Sequence, residues 1–279
     1  MSQPAAFQPR VALRERSGMQ IMDLAITVLR AWWRPLLVPL IMGFLPFFLL
    51  NLFIGNLLQE RMIEVDNTED YFSVPYFLTL IFIMEAPWIS APVEIAMGGL
   101  VFNQRVTTRQ IMGRIIRGMP KMVLFQVIAR GIITIFGITI LAIPLALGFV
   151  NEIIYLERVS WRRLYKRVKS LNANADQFAF SFSATFFLLV FVISGWYALS
   201  VFLSVMEKSS IWLDSELLIF SDWKLHVLTI AGIQFFAIAR FLFYIDVRIR
   251  SEGWDLENQV RAIVAEQKIR TGSKEQAPA

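Results

Sequence analysis

Long apolar blocks separated by short charged segments dominate the chain. Apolar residues run almost unbroken over 35–58, 74–102, 122–156, 182–205 and 225–244. Each block reaches the roughly 20 residues that carry a helix across a hydrocarbon core of about 30 Å. The block 122–156 is too long for one crossing, because a straight helix of that length would extend about 50 Å. Its flanks are both basic, with Lys121 before it and Arg158, Arg162, Arg163 and Lys166 after it. Two flanks on one side of a membrane require an even number of crossings. The block therefore reads as two short spans joined by a turn within 136–144, with one long helix as the alternative. The pattern predicts an all-α polytopic membrane helix bundle: six transmembrane helices in three hairpins, with amphipathic interfacial helices added.

Helical spacing outside the spans identifies those added elements. Met22, Ile26, Leu29 and Trp33 share a face over 19–34, next to Asp23, Thr27 and Arg30. An interfacial helix with Trp32 and Trp33 at headgroup depth is expected there. Trp161, Leu164, Tyr165, Val168 and Leu171 form a second stripe within 160–177, and a charged helix is expected after the last span. Pro35 suits the first turn of the first span, where its missing N–H is no loss. Pro87 and Pro92 predict a kink or break over 85–92 in the second. The resulting division is a disordered cytoplasmic N-terminus at 1–18, a six-span membrane domain at 19–250, and a cytoplasmic C-terminal helix and tail at 251–279.

Composition agrees with the pattern. Hydrophobic residues make up 56% of the chain and charged residues 18%, against roughly 45–50% and about 25% in soluble domains. The net charge of +5 does not point to nucleic acid, because the basic residues cluster between spans. Arg105, Arg109, Arg114, Arg117 and Lys121 stand together without an acid, whereas 59–73 and 207–224 are acidic. By the positive-inside rule both termini are expected in the cytoplasm. The basic inner loops are expected to meet anionic lipid headgroups. No cleavable signal is evident, so the first span is expected to act as an uncleaved anchor.

Reactive constellations are sparse. There is no cysteine, and His226 is the single histidine, which leaves no catalytic, cofactor or metal site to nominate. The informative residues are those whose burial needs a reason. Glu85, Glu94, Arg130 and Arg240 lie at membrane depth, with Gln234 as a neutral companion. An unpaired charge at that depth costs at least about 2.5–3.5 kcal/mol. Glu94 and Arg130 form the expected pair. Each of these residues belongs either to a structural ion pair or to a polar route. A second set, Glu152, Glu157, Arg158, Asp246, Arg248 and Arg250, marks the inner ends of the fourth and sixth spans. There charge pairs are expected to clamp neighbouring hairpins or offer a docking surface, with Tyr244 as an interfacial anchor.

Two of these boundary stretches, NEIIYLERVSWRRLYKRVKSL (151–171) and RFLFYIDVRIRSEGWDLE (240–257), resemble blocks of the glycerophosphoryl diester phosphodiesterase membrane-domain family of bacterial multi-span proteins. The resemblance implies a six-helix bundle without intrinsic catalysis in a bacterial inner membrane. In that family phosphodiester cleavage belongs to a separate soluble barrel, for which this chain has no room. Two readings follow. One is a non-catalytic scaffold or accessory subunit of an envelope complex, with membrane or cytoplasmic protein partners. The other is a transporter or channel-like module with a polar route at Glu85, Glu94 and Arg130.

Overall fold

The computed structural model describes residues 16–63, 73–102, 106–135, 143, 147–157, 159–173, 175–207 and 222–252. Arg158, the acidic segments 64–72 and 208–221, the expected turn apart from Ile143, and the segments 1–15 and 253–279 lie outside the described residues. Among the described residues the fold is helical, without strands. Helix α1 spans Gly18–Ile63 and α2 Ser73–Val101. Helix α3 (Thr108–Met122) widens into a π-helical stretch, Val123–Ala129, and continues as α4 (Arg130–Ile135). Helix α5 (Val150–Glu152) likewise runs into a π-helical stretch, Ile153–Glu157. Helices α6 (Trp161–Ala173), α7 (Gln177–Glu207) and α8 (Trp223–Glu252) complete the order. Among the described residues four segments are long and apolar enough to cross a membrane: Gly18–Leu57, Thr79–Val101, Ala179–Met206 and Trp223–Ser251.

Local chemistry explains where several helices begin. Ser17 and Gln20 cap α1 reciprocally: the Gln20 N–H donates to Ser17 Oγ and the Ser17 N–H to Gln20 Oε1, at 3.4 and 3.1 Å. Thr107 and Gln110 do the same for α3. Asp176 accepts the Ala179 N–H ahead of α7, and Asp222 the Lys224 N–H ahead of α8. Such caps satisfy donors that the first helical turn leaves without partners.

Helix α1 bends at Trp32, whose φ of −117° and ψ of 20° leave the helical region. Pro35 follows three residues later, and its ring crowds the Ala31 carbonyl while offering it no N–H. The bend separates the segment expected at an interface from the one expected to span. The first limb starts near the C-terminal end of α8, where the Arg16 N–H donates to Asp246 Oδ1 at 2.7 Å. After the bend, Leu40 accepts a hydrogen bond from Gln234, and Asn51 donates to Glu85. Counting back from Leu40 to Trp32 at 1.5 Å per residue lowers the chain by about 12 Å toward that same end of α8. The first limb therefore lies across the end of the bundle instead of running through it.

Helices α1, α2 and α8 form the packed centre. They come close together at Gly43, where an added Cβ would fall 2.3 Å from the Ile89 carbonyl oxygen and 2.8 Å from Gln234 Nε2. Only a residue without a side chain fits against that backbone. Helix α7 packs on α8 and turns Phe182, Phe186, Leu189 and Ile193 outward. A surface this apolar is stabilised by lipid, not by water. Helices α3–α4 and α5 run in opposite directions, with Gly118 against Tyr155 and Gln126 bonded to Asn151.

Of the kink or break expected over 85–92, the break does not occur: α2 is a single helix through Pro87 and Pro92. Tertiary hydrogen bonds supply the reason.

Candidate functional site: a buried charge network

Proline at 87 has no N–H, so the carbonyl of Ile83, four residues earlier, loses its helical partner. Arg130 takes that place, with Nη1 donating to Ile83 O at 2.9 Å. The same guanidinium donates through Nε to Gln126 Oε1 at 2.8 Å. Gln126 in turn donates to Asn151 Oδ1 at 2.8 Å, and Asn151 Nδ2 donates to Pro87 O at 2.9 Å and Ser90 Oγ at 3.2 Å. The loop of contacts returns to α2 at the proline that made it necessary. Gln126 lies within the first π-helical stretch, and Arg130 follows it by four residues on the same face. Gln126 and Asn151 are fully buried.

A second centre adjoins the first through the next residue of α5. Arg240 on α8 faces two carboxylates. Its Nε donates to Glu152 Oε1 at 2.8 Å, and its Nη2 reaches Glu94 Oε1 at 3.0 Å and Glu152 Oε2 at 3.4 Å. Both acids are inaccessible to solvent, while the arginine side chain keeps 28% of its surface accessible. One cation thus fastens α2, α5 and α8 together. The expected partner of Glu94 was Arg130, but the structure gives it Arg240. Residue depth suggested the first pairing, whereas the proline-freed carbonyl draws Arg130 elsewhere. Glu85 stands apart from this network, accepting a hydrogen bond from Asn51 Nδ2 at 2.9 Å. Glu94 Oε2 and the Tyr155 hydroxyl have no hydrogen-bond partner among the described residues.

Nearer the C-terminal end of α8, Glu157 gathers three elements. Arg167 on α6 binds it with both Nε and Nη2, at 2.7 and 2.9 Å. The Tyr244 hydroxyl donates to Glu157 at 2.7 Å, and Arg248 Nε lies 3.7 Å away. Tyr244 was expected as an interfacial anchor, but it is fully buried, packing beside Phe149 at a ring separation of 5.6 Å. Phe149 itself has a positive φ of 57°, held in place by buried aromatic contacts with Phe243 and Tyr244. Asp246 accepts the Arg16 N–H and pairs with Arg250 at 2.8 Å. Glu157 therefore joins separate helices, while the Asp246–Arg250 pair stays within one.

Gln126 and Ser90 carry no mark in the sequence, and Asn151 and Tyr155 stand out there only as part of the 151–171 boundary stretch. Uncharged amides within apolar blocks carry a weaker signal than charges. A usable one exists: a proline inside a span points to a carbonyl four residues earlier that needs a donor. Ser194 and Ser204 donate their hydroxyls to carbonyls of their own helix, those of Val190 and Ser200. His226 is buried beside Phe82. Among the described residues no three histidine or acidic side chains converge as metal ligands do.

No protein-family model matches the chain, and no curated protein or solved structure is detectably similar to it.

Proposed function

We propose that the protein is a non-catalytic scaffold or accessory subunit of a bacterial inner-membrane assembly. In this reading it forms six spans in three hairpins, with both termini in the cytoplasm. The α3–α4 and α5 segments supply the middle hairpin, and the end of the bundle carrying Arg114, Arg117, Lys121, Arg167, Arg248 and Arg250 faces inward, as the positive-inside rule requires. The observation that carries the reading is that the buried charges bond to neighbouring helices. Glu94, through Oε1, and Glu152 are paired with Arg240, and Arg130 substitutes for a lost backbone donor. Charges used in this way hold helices together. The likeness of residues 151–171 and 240–257 to the glycerophosphoryl diester phosphodiesterase membrane domain supports the same conclusion.

A transporter or channel-like module with a route at Glu85, Glu94 and Arg130 is the rival. It draws on the unpartnered Glu94 Oε2 and the accessible edge of Arg240. Two measurements separate them. The scaffold reading expects the chain, cross-linked in native membranes and extracted gently, to migrate with other proteins. It also expects sealed proteoliposomes of the purified chain to show no more proton or ion flux than empty vesicles. Recovery of the chain always alone, or a flux abolished by Glu94→Gln in a folded protein, overturns it.

A further inference from the structure

We propose that the cleft between α3 and the π-helical end of α5 binds the phosphate of an anionic phospholipid. Arg114, Arg117, Gly118 and Lys121 line one wall of this cleft, and Ile154 and Tyr155 the other, around a volume of about 140 Å³. The first four residues recur at intervals of three, one and three, which places them on one helix face. Three cations thus converge on a small space that no carboxylate lines. A compact anion is the ligand such a space fits, and basic pockets between membrane helices suit phospholipid headgroups.

The cleft is built by the fold and is more than a charged loop. Gly118 lets the tyrosine ring come close, since a Cβ there would lie 2.7 Å from Tyr155 Cε1. Lys121 is held at the rim by a hydrogen bond to the Val159 carbonyl and by the Trp161 ring, 5.8 Å away. Its charge is therefore positioned. Tyr155 is buried to 2% exposure, and its hydroxyl has no hydrogen-bond partner.

What lies above the cleft selects a lipid over a free phosphate ester. One turn further along the helix, Val123, Leu124 and Val127 present exposed apolar side chains. Phosphate at Arg117 and Lys121 with an acyl chain along these residues reproduces the polarity of one phospholipid molecule. The proposal is independent of any protein partner and stands or falls apart from the scaffold reading.

The test uses the full chain in nonionic detergent, titrated with phosphatidylglycerol, phosphatidylcholine or glycerol 3-phosphate. Adducts are followed by native mass spectrometry and stability by thermal unfolding. Phosphatidylglycerol is expected to bind and raise Tm, and the other two are not. Arg117 is exposed, so Arg117→Gln should fold normally, which circular dichroism verifies. It should weaken the lipid about fivefold, the equivalent of about 1 kcal/mol per basic residue, and Arg117→Lys should restore most of the loss. Arg163 is also exposed but lies outside the cleft, so Arg163→Gln should leave affinity unchanged. Equal weakening by Arg163→Gln would reduce the effect to diffuse attraction and overturn the proposal. Equal binding of phosphatidylcholine, or of glycerol 3-phosphate, would overturn it too.

Discussion

Arg240 sets one guanidinium against two buried carboxylates, so its removal does more than delete a contact. Arg240→Met leaves Glu94 and Glu152 facing each other in a low-dielectric interior. Breaking a buried pair on one side costs about 3–5 kcal/mol. Destabilisation of that order is expected in a denaturant titration of the detergent-solubilised protein. Neutralising the whole group, as Glu94→Gln, Glu152→Gln and Arg240→Met together, should recover most of the loss, because no charge is then stranded. A triple variant no more stable than Arg240→Met alone would show that the arginine acts by packing. Sequence made the charges themselves visible, since an acid or arginine in an apolar block announces its cost. It did not disclose their partners. Glu94 and Arg130 are compatible in depth, but pairing depends on which helix faces turn toward each other.

At the scale of the element, α2 keeps its helix across Pro87 because Arg130 supplies the donor that proline lacks. The two residues should therefore be energetically coupled. In Pro87→Ala the alanine N–H can bond to Ile83 O directly, and Arg130 loses that duty. A double-mutant cycle of Pro87→Ala with Arg130→Gln is expected to give a coupling within the 0.5–3 kcal/mol seen for residues of one network. Arg130→Gln should be markedly milder in the alanine background, as read by thermal unfolding. Additive effects would mean that Arg130 answers to Gln126 alone. The apolar blocks and prolines could be read from the chain in advance, and so could a boundary near Pro35, which the structure makes a bend at Trp32 within one helix. The continuity of α2 could not, because it rests on an arginine 43 positions beyond the proline (130 minus 87).

For the whole molecule, the Arg16–Asp246 contact places the start of α1 at the C-terminal end of α8. With no cysteine in the chain, single cysteines can be introduced without background. Ser17→Cys and Ser251→Cys should react with an impermeant maleimide from the same side of oriented membrane vesicles, and Met206→Cys, exposed near the far end of α7, from the opposite side. Opposite labelling of Ser17→Cys and Ser251→Cys would exclude this arrangement. The contact also bears on how the molecule is made. During synthesis the start of α1 emerges some two hundred residues before the start of the helix that completes its binding face (18 and 223). Until α8 arrives, Gly43 lacks its neighbour Gln234 and the first limb has no Asp246 to fasten it. Pairings this distant in sequence form slowly. A ribosome stalled before residue 223 would hold a bundle that lacks the helix against which α1, α2 and α7 pack.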